Sequence, residues 1–190
     1  MRSERPPQVP LRQLLDDDAT RHELIGSRVV RIETPSRAHE RLADRVAEIL
    51  RRQLSGRPWT VRRDATVRIG DAHLVRPDAA VAFREPGAPA GIQGAPAVVV
   101  EVMSPTTAVR DRGAKRLAYF QIADLQHYVL LSSGQYCLEI FSRTGPGEWA
   151  YRRYCDELGR LVELSGFDVC LPLMALYEGI DLDQQAWRER

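Results

Sequence analysis

The sequence predicts an α/β or α+β fold with a mixed β-sheet, and three observations carry that prediction. Patterns of helix, strands, helix and strands follow one another along the 190 residues, an order that packs helices against a sheet. The run Ala97–Met103 is apolar except at Glu101, too short and too β-branched for a helix, and reads as a central strand. Leu42, Val46, Ile49, Leu50 and Leu54 recur at helical spacing and mark an amphipathic helix.

Each element follows in order. Residues 1–10 are polar and proline-rich and read as an arm ahead of one domain over residues 11–190. Leu11 to Asp18 reads as a short helix, and His22 to Ile32 as a strand or hairpin turning at Gly26-Ser27. Pro35-Ser36 opens the amphipathic helix and Gly56 stops it. Valines and threonines alternate with arginines from Trp59 to Ile69, a strand pattern that turns at Gly70-Asp71. A further strand runs from Val75 to Phe83, and Pro86 to Gly94 is a Gly/Pro/Ala loop. Ser104-Pro105 caps a second helix reaching about Ile122. His127–Leu131, Cys137–Ser142, Trp149–Tyr154 and Leu161–Leu164 are later strands, before a helical turn at Leu173–Tyr177.

Composition excludes several classes. Hydrophobic residues are 44% and charged residues 28%, which suits a globular chain and excludes a collagen-like or disordered one. No apolar run approaches the ~20 residues of a membrane span, and the N-terminus lacks the apolar core of a signal peptide. The expectation is a cytoplasmic protein. The net charge of +1 names no polyanionic partner, but it is unevenly spread: +5 up to Arg63 and −4 beyond. A basic first third suits phosphate, although arginines are also ordinary solvated surface. Cys137, Cys155 and Cys170 are odd in number and form no CxxC pair, which argues against a disulfide framework or a zinc site. Buried, inert thiols are expected.

Four features carry chemistry. Glu101 puts a carboxylate inside an apparently buried run, which is costly without a cation or donors. The plain alternative is a strand-end glutamate reaching solvent. Asp78 follows Pro77 near the neighbouring strand; alone it reads as a turn residue, but two carboxylates on adjacent strands suit one hard divalent cation. Asp111, Lys115 and Tyr119 are spaced by four and share a helix face, either as a surface ion pair or as one wall of a site. Lys115 is also the only lysine among 27 basic side chains. His39 falls on the apolar stripe of the first helix, and Glu23 precedes Leu24-Ile25; both are core or strand-edge residues by default.

Taken together these segments resemble a family. Arg21-His22-Glu23-Leu24-Ile25, Pro35-Ser36 with His39, Arg76-Pro77-Asp78, Val99-Val100-Glu101-Val102-Met103-Ser104-Pro105-Thr106-Thr107, and Asp111-Arg112-Gly113-Ala114-Lys115 with Tyr119 are similar to the Uma-type restriction endonuclease family of the PD-(D/E)XK nuclease superfamily. The likeness runs from about Pro10 to Leu182. It implies a restriction-endonuclease-like core, a mixed β-sheet flanked by helices. It implies Asp78, Glu101 and Lys115 as catalytic residues, with Asp78, Glu101 and the backbone at Val102 holding Mg²⁺ or Mn²⁺. Glu23, His39, Asp111 and Tyr119 match auxiliary positions. The wider superfamily carries its lysine two residues after the glutamate, where this chain has Met103; Lys115 on the next helix takes its place. Two departures remove acids: Gly26-Ser27-Arg28 replaces an Asp-Gly-Glu turn, and Leu131-Ser132-Ser133 replaces a Val-Asp-Pro segment.

The expectation is therefore metal-assisted hydrolysis of DNA phosphodiesters, with Lys115 orienting or deprotonating the water or neutralising charge on the phosphate. Arg37, Arg41 and Arg45 are candidate phosphate contacts, and a homodimer suits cleavage of two strands. Two rivals stand beside this. One is a nucleic-acid-binding relative without catalysis. The other is an oligomerising scaffold in which Glu101 and Lys115 form a buried ion pair.

Overall fold

A computed structural model describes residues 22–26, 28–84, 95–184 and 187. The arm over residues 1–10, the helix expected at Leu11–Asp18 and the loop Pro86–Gly94 lie outside the described residues. Gly26 takes φ +58°, a left-handed conformation that costs glycine little, between antiparallel β1 (His22–Ile25) and β2 (Arg28–Arg31). Ser36 then caps α1 (Arg37–Gln53), its Oγ accepting the His39 N–H at 3.1 Å. The apolar stripe of α1, including Leu42, Val46, Ile49 and Leu50, is buried as its spacing requires.

Two strands expected to be continuous are each broken. The Trp59–Ile69 segment divides into β3 (Trp59–Arg62) and β4 (Val67–Ile69), which join different sheets. Asp64 sits between them at φ +51°, and aspartate tolerates that region better than most side chains. The Val75–Phe83 segment divides into β5 (His73–Val75) and β6 (Ala79–Phe83) around Arg76-Pro77-Asp78, where Pro77 lacks the N–H a central ladder needs.

β7 (Pro96–Met103) is buried at all eight positions. Alternate residues serve opposite faces: Val98, Val100 and Val102 face α1, while Val99 and Met103 face the second helix. That helix begins where Ser104 and Thr107 exchange side-chain-to-backbone hydrogen bonds. It is not the regular helix the spacing predicts. Between α2 (Ala108–Arg110) and α3 (Arg116–Tyr119) lies a π-helical stretch, Asp111–Lys115. It leads to β8 (His127–Ser132), which pairs in parallel with β7.

β9 (Cys137–Gly145) and β10 (Glu148–Cys155) complete a six-stranded sheet of order β10-β9-β8-β7-β6-β3, mixed because every pairing except β7–β8 is antiparallel. A second sheet has order β2-β1-β5-β4. β11 (Leu161–Leu164) pairs with β12 (Val169–Pro172), a strand the sequence reading missed, and α4 (Leu173–Tyr177) follows. One face of the large sheet packs on α1, α4 and the β11–β12 hairpin. The other packs on the π-bulged helix and the small sheet. The fold is α+β, a mixed sheet flanked by helices. Among the described residues no helix is long and apolar enough to cross a membrane.

The cysteine expectation is corrected. Cys137 and Cys155 are direct cross-strand partners of β9 and β10, with Cα atoms 4.1 Å apart, and form a disulfide. Cys170 is a free thiol and only partly buried.

Candidate active site

The register of β6 and β7 sets Ala79 opposite Val100. One step further along that register, Asp78 comes opposite Glu101. The two open on a cleft of about 240 Å³, also lined by Glu23, His39, Asp111 and Lys115. Glu101 does not reach solvent, being 4% exposed. Its odd position in β7 turns it towards the π-bulged helix, the face of Val99 and Met103.

Lys115 is the hub. Its Nζ lies 2.6 Å from Glu101 Oε1 and 2.9 Å from Glu23 Oε1, with all three side chains buried. Glu23 Oε1 also accepts the Arg76 backbone N–H at 2.8 Å. Tyr119 Oη donates to Glu101 Oε1 at 2.6 Å from behind, fully buried and away from the cleft wall. Glu101 Oε1 thus takes both bonds, and Oε2 takes neither. Asp111 is buried, and its backbone carbonyl accepts from Tyr128 Oη at 2.9 Å.

The second pair is Asp78 and His39. His39 Nε2 stands 2.9 Å from Asp78 Oδ1, and Asp78 Oδ2 accepts the Val102 N–H at 2.6 Å. Ser36 Oγ, which caps the helix at His39 N–H, also donates to Asp183 Oδ2 at 2.5 Å. The structure therefore brings Glu23, His39, Asp78, Glu101, Asp111 and Lys115 into one cleft.

Burial and charge oppose one another here. Burial disfavours the Lys115 ammonium, but the carboxylates of Glu101, Glu23 and Asp111 outweigh it and raise the pKa. The surrounding carboxylates therefore favour the ammonium form of Lys115. Burial pushes the Glu101 carboxyl well up, reinforced by Asp111, Asp78 and Glu23, although Lys115 pulls it down. Burial likewise raises Asp111. For Asp78, burial is outweighed by the hydrogen bond and charge of His39, the Val102 N–H and Lys115, so its pKa falls. For His39, burial is outweighed by Asp78, then by Glu40 and Asp111, so its pKa rises.

Eight acidic side chains line the cleft against Lys115, His39, Arg76 and Arg110, leaving negative charge to be met by a proton or another cation. Hard oxygen donors with excess negative charge fit a divalent ion of the magnesium type, which takes one or two carboxylates and keeps water. Asp78 and Glu101 supply that set. Among the described residues no group of three or more His, Cys, Asp or Glu side chains is arranged to hold a metal.

The three arginines assigned to phosphate, Arg37, Arg41 and Arg45, do not line this cleft. Arg41 Nη1 donates to the Gly179 carbonyl at 3.1 Å and Arg45 Nη1 to the Ala175 carbonyl at 2.7 Å. Arg45 thereby ties α1 to α4, and Arg41 ties it to the residues just beyond. Sequence reasoning gave no role to Asp183 or Arg110 on the cleft wall, and none to the side chain of Arg76. Arg76 lies within the Arg-Pro-Asp signal; the other two carry no local signal.

Comparisons with known proteins bear on the family and the fold. Residues 9–173 match the family model Uma2, described as "Putative restriction endonuclease". An uncharacterized protein of Synechocystis, slr1290, is 31% identical over 85 residues, 45% of this chain; the match spans 44% of that relative, less than half its length. A crystal structure of a putative nuclease belonging to DUF820 from Anabaena variabilis superposes with a TM-score of 0.69 at 17% identity. It covers 82% of this chain and 89% of that one, and it shows the shared fold.

Proposed function

From the premise that the chain belongs to the Uma2 restriction endonuclease family, we propose that it is a metal-dependent endonuclease hydrolysing phosphodiester bonds of DNA. The observation that carries the reading is the buried convergence of Lys115 with Glu101, beside Asp78, on one cleft. Structural ion pairs do not need an opening to solvent, whereas a site does.

Asp78, Glu101 and the Val102 carbonyl would hold Mg²⁺ or Mn²⁺, which when bound polarises a phosphate and acidifies a water. Lys115, held as a cation, offers positive charge to the phosphate oxygens as they gain negative charge. Tyr119 fixes Glu101 Oε1, leaving Oε2 free of that bond. His39 fixes Asp78 through Oδ1, and Val102 N–H fixes it through Oδ2. Glu23 shares Lys115 and sets how far its ammonium leans from Glu101. One chain offers one such cleft, so cutting both strands of a duplex suits a homodimer in the cytoplasm.

A second reading, nucleic-acid binding without hydrolysis, draws on the want of a three-residue metal cage among the described residues. One experiment separates them: supercoiled plasmid and single-stranded DNA with Mg²⁺ or Mn²⁺, comparing the unmodified protein with Asp78→Ala and Lys115→Ala. Metal-dependent nicking lost in both variants supports the nuclease. Activity surviving both substitutions, or an inert unmodified protein that still binds DNA, overturns it.

A further inference from the structure

An acidic floor repels a phosphodiester, so a cleft that admits one needs positive charge on its walls. Most cations near this cleft are already engaged. Lys115 holds Glu23 and Glu101, His39 holds Asp78, and Arg63 grips Glu40 and Asp44. Four arginines, Arg63, Arg76, Arg110 and Arg116, have a buried Nε without a hydrogen-bond partner. Arg63 is accounted for by its two carboxylates, and Arg116 by lying over the Phe141 and Phe120 rings at 5.2 and 5.9 Å. Arg76 and Arg110 remain, and both line the cleft. Among the described residues neither guanidinium is in a hydrogen bond or salt bridge, and Arg110 feels only the charge of its neighbour Asp111.

Both are held in place by their backbones. The Arg76 N–H is bonded to Glu23 Oε1, two residues before Asp78. Arg110 ends α2, immediately before Asp111 and the π-helical stretch. Each guanidinium therefore arises beside one of the cleft aspartates, from a different element. A guanidinium presents a planar fork of N–H donors that matches two phosphate oxygens, and it stays charged at every working pH.

We infer that Arg76 and Arg110 are the clamp that holds the substrate's phosphodiester backbone in this cleft. The inference rests on the nuclease reading for the identity of the polyanion, but it concerns binding, which can be read without catalysis. The clamp replaces Arg37, Arg41 and Arg45 as the source of phosphate contacts.

The test is fluorescence anisotropy with a short labelled DNA, single-stranded and duplex, in EDTA from about 50 to 200 mM salt. Unmodified protein is compared with Arg76→Gln, Arg76→Lys, Arg110→Gln and Arg110→Lys. Each Gln variant is expected to bind roughly tenfold more weakly, the scale of one charge-assisted contact. Each should also lower the log–log salt slope by about 0.7 to 0.9. The Lys variants keep the slope but lose the fork, and recover only part of the affinity. In cleavage assays the Gln variants raise KM more than they lower kcat. Full recovery of affinity by lysine would reduce the pair to counter-charge for the acids and overturn the clamp, as would unchanged affinity and slope in the Gln variants. Two further outcomes separate the clamp from the nuclease reading. Cleavage by the unmodified protein with Arg-independent binding sinks the clamp alone. Arg-dependent binding without cleavage sinks hydrolysis alone. An unmodified protein that binds no DNA removes both.

Discussion

The backbone N–H of Val102 donates to Asp78 Oδ2 at 2.6 Å. The residue after one cleft carboxylate therefore fixes the side chain of the other. Asp78 stands just outside the β6 ladder, where a short polar side chain would otherwise be free to turn to water. This bond and His39 hold both its oxygens, so the spacing of Asp78 and Glu101 is set before anything binds.

That spacing predicts a metal response. Mg²⁺ or Mn²⁺ should raise the thermal unfolding midpoint of the unmodified protein, because an ion that binds only the folded chain stabilises it by about 2.7 kcal/mol at a hundred times its Kd. Asp78→Asn keeps the size of the side chain but removes its charge, and should lose the rise. Differential scanning fluorimetry with and without EDTA reads this directly; an equal rise in both proteins would place the ion elsewhere.

Lys115→Met removes the one cation that, among the described residues, is bonded to both buried carboxylates Glu23 and Glu101. The expected cost is about 3–5 kcal/mol, the scale for breaking one side of a buried ion pair. Part of it should return on acidification, as the stranded carboxyls take up protons. Urea unfolding at neutral and mildly acidic pH measures both. A Met variant as stable as the parent would mean that the carboxyls are already protonated around the lysine.

The His39–Asp78 pair sets a pH window. The pKa of His39 is raised in the fold, so its stabilisation is fully present below about 6.5 and fades as pH rises through the raised value. The pKa of Asp78 is lowered, so its contribution is present above about 3.9 and fades as pH falls through the lowered value. His39→Gln should flatten the alkaline limb of a stability–pH curve. If that limb keeps its slope, another group controls it.

Glu139 predicts an effect from a distance. It is buried in β9, where Arg112 of the π-helical stretch donates to it from Nε at 3.0 Å and Nη2 at 2.5 Å, and Tyr151 Oη at 3.0 Å. Glu139→Gln weakens that anchor and lets the stretch carrying Asp111 and Lys115 shift. Any nuclease activity should fall roughly tenfold in kcat, with DNA affinity nearly unchanged, because small misplacements at a reacting centre are costly. Arg112→Lys should restore only part of the loss seen in Arg112→Gln. A change in affinity alone would contradict this positioning role.

Much of this was legible in residue order. The apolar run around Glu101 reads as a buried central strand, in which one acid is costly unless a cation or donors meet it or it reaches solvent at the strand end. What met it was less legible. Asp111, Lys115 and Tyr119 are at α-helical spacing, and nothing in those residues announces a π-helical stretch, whose Arg112 is bonded to the distant Glu139. Arg37, Arg41 and Arg45 form a clear basic stripe, but charge does not say which neighbour claims it; carbonyls within and just after α4 do so for Arg45 and Arg41. Cys137 and Cys155 become partners only once the β9–β10 register is fixed, and a count of cysteines carries no register. Asp64 and Pro77 were readable as strand breakers, yet the alternation on either side of each looked continuous.

Glu23 belongs to the small sheet, Glu101 to the large one, and Lys115 to the helix between β7 and β8. A single ammonium therefore mortars three separately built parts of the molecule. Were the small sheet to lift, Glu23 would leave with it and Lys115 would be drawn wholly onto Glu101. Amide exchange in β1 and β5 thus becomes a gauge of how much of the population has its lysine shared between two acids, and a lesion in the far hairpin could silence the cleft without touching it.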